Sequence, residues 1–385
     1  MSAASGGADA SIFGRAPEGP VARIVAAGDV SFSGRILSES RVRDGGPLDA
    51  LRAEFRDADI GFMNLESPLL DVVSKATPFA SPLAAVENIP RARVTVVNAA
   101  NNHVRDYGPG GLRSTIAALR AAGMVVIGVG DTREAAAEPV FVRANGLELA
   151  WLACARTLQA QDGGGPYFWE LDADALVRAV RLCRPRADLV AVSIHAGYMY
   201  LDVPHPDHKR LAEALSDAGA DVVLMHHAHV LQGLDVRNAR RLIAYNLGNL
   251  LFDWREGNVE ARAMIDEQRE GALVRIDCDR SGVAAVAVVP TWIEETLCTV
   301  VATGERRDRV LARLRRVSEL LRGDVARIFS AQHAERNTGM VGRVLWFHLR
   351  RGNLRYVASQ LRKLRGAHLA MVGRWLAGRV ARTRS

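Results

Sequence analysis

Residues 208–229, HKRLAEALSDAGADVVLMHHAH, contain the order from which the fold can be read. Positions 208–221 have helical spacing and meet Gly219 near their end, where helices commonly stop. DVVLM (221–225) then forms a short, continuously apolar run, the pattern of a strand buried on both faces. His226, His227 and His229 follow at once. The same kind of strand recurs on either side. Upstream lie ARIVAAG (22–28), DIGFMN (59–64), VTVVNAA (94–100), MVVIGVG (124–130), LELAWLAC (147–154) and LVAVSI (189–194), and downstream LIAYNLG (242–248). GGLRSTIAALRAAG (110–123) is a second helical stretch ending in Gly. Apolar strands alternating with helices predict a largely buried α/β sheet. GALVRIDCDRSGVAAVAVVP (271–290) reads as a hairpin turning at Asp279–Gly282. Beyond Thr303 the pattern changes. Val310, Leu311, Leu314, Val317, Leu320 and Leu321 fit one helical face, and Leu354, Val357, Leu361 and Leu364 fit another.

With 385 residues, 49% of them hydrophobic and 24% charged, the chain can bury a large core, which excludes wholesale disorder. Cys154, Cys183, Cys278 and Cys298 are scattered without a CxxC pair, so they read as buried small residues and not as a disulfide framework or zinc ribbon. MSAASGGADASIFGRAPEGP (1–20) has neither a basic nor an apolar targeting segment and is expected to be a disordered leader. No run of about 20 apolar residues occurs. The expected location is cytoplasmic, peripheral to a membrane at most. Charge is uneven. Residues 341–385 hold ten Arg and one Lys with no Asp or Glu, a charge of +11, so with a net charge of +7 the other 340 residues sum to −4.

The chemistry-bearing residues fall just past strand ends. Asp29 follows the first strand, Glu66 the second, and Asn102 and His103 the third. His195 follows LVAVSI, and His227 and His229 follow DVVLM. Open α/β sheets place their sites at the carboxyl ends of strands, where several loops share one crevice. Two carboxylates, an amide oxygen and three imidazoles suit a pair of divalent cations of intermediate softness, such as Mn, Fe or Zn. A carboxylate shared between two ions lets both act on one water. Taken singly, each residue has a plainer reading. Asp29 can cap a helix, Glu66 before Ser67–Pro68 can serve a turn, and a lone His after a strand is commonly structural. Six such positions in one consistent context favour the metal reading.

At these residues the chain resembles the CapA family of capsule and poly-γ-glutamate synthesis proteins. The likeness runs in order through GDVSFSG (28–34), NLESPL (64–69), ANNHVRDYG (100–108), SIHAG (193–197), DAGADVVLMHHAHVLQG (217–233) and IAYNLGNLLFD (243–253). That family is similar to calcineurin-like metallophosphatases. The resemblance, which covers about residues 22–292, therefore implies a four-layer α/β/β/α sandwich of two packed sheets over 21–300; the helical spacing and basic charge beyond it predict a helical, basic C-terminal appendage over 301–385. It implies Asp29, Glu66, Asn102, His195, His227 and His229 as metal ligands, with Glu66 bridging. His103 is the implied catalytic acid or charge stabiliser, Asp106 its orienting partner, and Asn249 a substrate-binding or supporting residue. Two departures stand out. Asp29 is followed by Val30 and Ser31 in place of the usual DxH, and His195 by Ala-Gly-Tyr-Met in place of WGxE. His226 is an adjacent alternative ligand.

The implied function is a two-metal hydrolase acting on a phosphate ester or polymer-linked substrate of capsule or poly-γ-glutamate synthesis. The alternative is a non-catalytic component of a polymer synthesis or export complex. For residues 341–385 three readings stand: a solvated face, packing on the body, or attachment to an anionic membrane, which Trp346, Phe347 and Trp375 favour. No recognition motif points to nucleic acid.

Overall fold

The computed structural model describes residues 9–36, 46–74, 77–253 and 266–336. Two compact units divide the chain, Met1–Gly323 and Asp324–Ser385.

The first unit is built on two large sheets. In the larger, the order is Ala10–Gly14, Gly282–Ile293, Glu270–Asp279, Ala22–Val30, Ile60–Leu65, Val96–Asn98 and Val125–Ile127. The last four strands run parallel. In the smaller, the order is Leu234–Arg237, Arg241–Ala244, Val222–His226, Leu189–His195, Leu147–Ala155 and Val140–Ala144, with the inner four parallel.

Alternation along each strand sets the layers. Ile24, Ala26, Ile60, Phe62 and Val96 face Leu149, Trp151, Leu189, Ala191 and Leu224 in one core between the sheets. Phe62 stacks on Trp151 with ring centroids 5.1 Å apart. The neighbouring residues Val25, Ala27, Met63 and Val97 point the other way, onto Leu112, Ile116 and Leu119 of the helix Gly108–Ala121. On the far side of the smaller sheet, Val190, Val192 and Met225 pack with the helices Ala173–Cys183 and Pro206–Ala218. Strands covered on both faces are continuously apolar for this reason. The expected four-layer α/β/β/α sandwich is the architecture found.

Three local expectations change. LIAYNLG is not one strand. Arg241–Ala244 belongs to the smaller sheet, while Asn249–Leu251 pairs with Ala22–Val30 in the larger, so the chain crosses between sheets at 245–248. This crossing needs close backbone approach: a Cβ on Gly28 would lie 2.0 Å from the Gly248 carbonyl oxygen, and Gly248 itself has φ 71°. The leader is ordered over 10–14, because the edge of the long hairpin offers unpaired backbone groups that Ala10–Gly14 takes up. Arg15 follows with two 2.7 Å bonds to the buried Asp279 carboxylate. The break drawn at 300 falls inside the first unit. The helix Gly304–Leu320 buries Val310, Leu311, Leu314 and Val317 in the inter-sheet core, and its Arg309 and Arg313 reach Glu270 at 2.6 Å and Asp202 at 2.9 Å.

In the second unit a helix covers 325–336. The basic stretch 341–385, with the proposed helical face Leu354, Val357, Leu361 and Leu364, lies outside the described residues. Among the described residues no helix is long and apolar enough to cross a membrane.

Candidate metal centre

Parallel pairing brings four polar residues level across the larger sheet. Asn249 is opposite Asp29, Asp29 opposite Asn64, and Asn64 opposite Asn98. Their side chains join up. Asn98 Nδ2 donates to Asn64 Oδ1 at 2.9 Å, and Asn64 Nδ2 donates to Asp29 Oδ1 at 2.8 Å. Across the seam, His195 stands level with His226 on the smaller sheet, and Asn64 Nδ2 lies 3.1 Å from His195 Nδ1. Asn64 thus fixes one ligand candidate from each sheet. Sequence reasoning missed it and Asn98; the available signal was an amide set inside an otherwise apolar strand.

All six expected ligands converge. His195 Nε2 lies 2.7 Å from Asn102 Oδ1, 3.1 Å from His227 Nδ1 and 3.4 Å from Glu66 Oε1. His229 Nε2 is also 3.4 Å from Glu66 Oε1, and His229 Nδ1 is 3.4 Å from Asp29 Oδ2. Glu66, His227 and His229 each offer a donor atom within 4.8 Å of the others, and so do Asp29, Glu66 and His195. The backbone helps to aim them: His227 (φ 94°) and His229 (φ 57°) both sit in left-handed conformations, which are uncommon outside glycine and recur at functional sites. His227 N–H donates to Asp29 Oδ2 at 3.1 Å, tying that turn to the larger sheet.

The electrostatics ask for positive charge. Asp29 and Glu66 are fully buried, and among the described residues neither Glu66 oxygen has a hydrogen-bond partner. A buried carboxylate without donors is expensive unless a cation neutralises it. Burial pushes the Glu66 carboxyl toward protonation, but the charges of His229 and His195 outweigh it and hold it well below the usual carboxylate range. Asp29 is likewise lowered: burial and Glu66 work against ionisation, and His226 and His229 overcome them. Burial opposes charge on His229 too, yet Glu66 and Asp29 push it up to about 9. His227, disfavoured by burial and by His195, is lowered to about 3, leaving a neutral imidazole of the kind that binds metals. Carboxylate, amide oxygen and neutral imidazole together fit a divalent cation.

The remaining candidates divide. Asp106 Oδ2 holds His103 Nδ1 at 2.7 Å, the geometry expected of an orienting pair. Phe79 stacks on the His103 ring at 4.7 Å, and His103 Nε2 faces Glu66 Oε1 at 4.0 Å. Burial opposes charge on His103, but Asp106 and Glu66 prevail and raise its proton affinity. Asn249 is fully buried, and its amide is committed to His229 Nδ1 (3.0 Å), the His229 carbonyl (3.2 Å) and the Gln268 carbonyl (2.9 Å). That geometry supports His229 and leaves no open face toward a substrate. His226 points into the core beside Phe62, with Nδ1 3.3 Å from Asp29 Oδ1, and is outside both donor groups. Ser31, in place of the missing histidine, turns its hydroxyl to Ser33 at 2.8 Å.

Residues 23–254 match the family model described as bacterial capsule synthesis protein PGA_cap. The capsule biosynthesis protein CapA of Bacillus anthracis is 32% identical over 60% of this chain and 55% of its own length. The PGA biosynthesis protein CapA of Bacillus subtilis is 27% identical over 67% of this chain and 68% of its own. The chain thus spans only a little over half of the first of these relatives. Among solved structures, calcineurin-like phosphoesterase YfkN from Bacillus subtilis is 12% identical, with a TM-score of 0.42 over 79% of this chain and 99% of that one.

Proposed function

This chain belongs to the bacterial capsule synthesis protein family PGA_cap, and from that premise we propose that it is a divalent-metal-dependent hydrolase serving capsule or poly-γ-glutamate type polymer synthesis. The observation that carries the reading is Glu66, a buried carboxylate with no hydrogen-bond donor among the described residues, ringed by Asp29 and three imidazoles. Two ions of Mn, Fe or Zn character fit these donors. Glu66, Asn102, His195 and His227 would hold one, and Asp29, Glu66 and His229 the other, with Glu66 shared. When bound, such ions supply Lewis acidity toward a substrate oxygen and toward water.

The chain's own residues do the rest. Asn64 and Asn249 hold Asp29, His195 and His229 in orientation from outside the donor set. His103, bound to Asp106 through Nδ1, keeps Nε2 on the Glu66 side, where it holds a proton for a leaving group. The substrate class is a phosphate ester or a polymer-linked group. Residues 341–385 carry the second part of the proposal: their charge of +11 draws the protein to an anionic membrane surface.

The test is elemental analysis of purified protein after chelation and reloading with Mn, Fe or Zn, alongside hydrolysis of bis-p-nitrophenyl phosphate and of poly-γ-glutamate. Stoichiometric metal with turnover of either substrate supports the enzyme. A metal-filled protein that turns over neither supports the non-catalytic component instead.

A further inference from the structure

Gln159 lies on the loop between Leu147–Ala155 and the short strand Tyr167–Phe168, and we propose that it is a positioning residue for His103, acting through Asp106. The proposal rests on the reading of His103 as the residue that handles the proton. Its basis is a closed set of contacts. Gln159 Nε2 donates to Asp106 Oδ1, and Gln159 Oε1 accepts the Arg105 backbone N–H at 3.1 Å. Asp106 Oδ2 then takes His103 Nδ1 at 2.7 Å. One carboxamide therefore grips both the Asp106 side chain and the backbone just before it.

The chemistry demands a glutamine-like group. The Arg105 N–H needs an acceptor and the Asp106 carboxylate needs a donor, and a primary amide offers one of each. A carboxylate in its place could accept but not donate, and would set a like charge against Asp106. With one Asp106 oxygen pinned by Gln159, only the other is free for His103. That carboxylate can only accept, so Nδ1 carries an N–H toward it, and Nε2, where the proton for a leaving group sits, is turned toward Glu66. Phe79 clamps the ring face, leaving rotation at the Asp106 edge as the remaining freedom.

The loop is built to hold Gln159 in place. The buried Arg105 guanidinium donates to the carbonyls of Asp162 (2.7 Å), Gly164 (3.3 Å) and Pro166 (3.3 Å). Arg113 reaches the Gly165 carbonyl at 2.7 Å, and Arg133 the Gln161 carbonyl at 3.1 Å. Arg105 thus ties the segment carrying Asp106 to the loop carrying Gln159 in both directions, through its backbone and its side chain.

The experiment uses the full-length, metal-loaded protein with Gln159→Ala and the near-isosteric Gln159→Glu, each alone and combined with His103→Ala. Turnover of bis-p-nitrophenyl phosphate gives kcat and KM, elemental analysis gives metal content, and long-range 15N–1H NMR reads the His103 ring. Both variants are expected to lower kcat about tenfold, as loss of a supporting partner commonly does. KM and metal content should hold, the Nδ1–H of His103 should lose its hydrogen-bonded signal, and the loss of rate should vanish in the His103→Ala background. Unchanged His103 ring signals in Gln159→Glu, or an equal fall in rate with and without His103, overturns the proposal. Should the unaltered protein turn over no ester, the hydrolase reading fails, and the ring signals alone decide the role of Gln159.

Discussion

Asp29, Glu66 and Asn102 reach the centre from the larger sheet, whereas His195, His227 and His229 reach it from the smaller one. One sheet brings oxygen and negative charge; the other brings nitrogen. Neither set alone satisfies its own burial. Without the imidazoles, Asp29 and Glu66 would be two like charges in the protein interior. Without the carboxylates, His229 would not keep a proton up to about 9. Affinity for a cation is therefore a property of the closed seam, and it depends on the same inter-sheet packing that holds Phe62 against Trp151. Anything that binds the folded chain and not the unfolded one stabilises it, so ion binding and seam packing are linked.

The largest expected effects come from removing one donor on each side. Glu66→Ala should lower ion affinity by about 100-fold or more, exceeding the range usual for supporting partners, and elemental analysis should find metal at background. His195→Ala should follow the same pattern from the other sheet. A His195→Ala protein that retains its full metal complement would break the division of labour described above.

Next comes the seam itself. Phe62→Ala removes a fully buried ring that touches both Trp151 and His226. It should cost about 3–5 kcal/mol of stability, measured by urea unfolding with and without Mn. The linkage is sharpened if added Mn restores part of the loss, and refuted if Mn stabilises the variant no more than it stabilises Glu66→Ala.

A smaller and sided effect is expected in acid. His208, on the helix layer of the smaller sheet, is lowered from 6.5 to about 4, first by burial and then by the charges of His205 and Arg156. Above pH 6.5 it is neutral whether folded or unfolded and contributes nothing to pH dependence. As pH falls toward 4 the unfolded chain takes up a proton that the folded chain refuses, so stability drops, by up to about 3 kcal/mol. His208→Gln should flatten the unfolding midpoint over that window. An unchanged midpoint–pH curve in the variant would assign the acid sensitivity elsewhere.

Much of this was legible in the sequence because both faces of the central strands are buried, which writes each one as an apolar run ending in a polar residue. Asp29, Glu66, His195 and His227 stood out for that reason. What did not show was anything that depends on which sheet a strand joins. LIAYNLG gives no hint that it crosses the seam, and so the sequence left Asn249 open between substrate contact and support, of which its contacts with His229 fit the second. Gln159 carried no signal, because a loop amide acquires meaning only when a distant carboxylate is folded against it. Ala10–Gly14 looked like leader because its partner edge lies about 275 residues away in the chain.

The contact of Gly28 with the Gly248 carbonyl has a consequence for anyone reading variation at these loci. Position 28 carries no side chain, yet even alanine would place an atom 2.0 Å from a backbone oxygen. In a saturation mutagenesis screen scored for folded protein it should appear as a column with every substitution depleted. A column of that kind is commonly taken for an active-site residue. Here it would report the thickness of the backbone where the chain passes from the smaller sheet to the larger at 245–248.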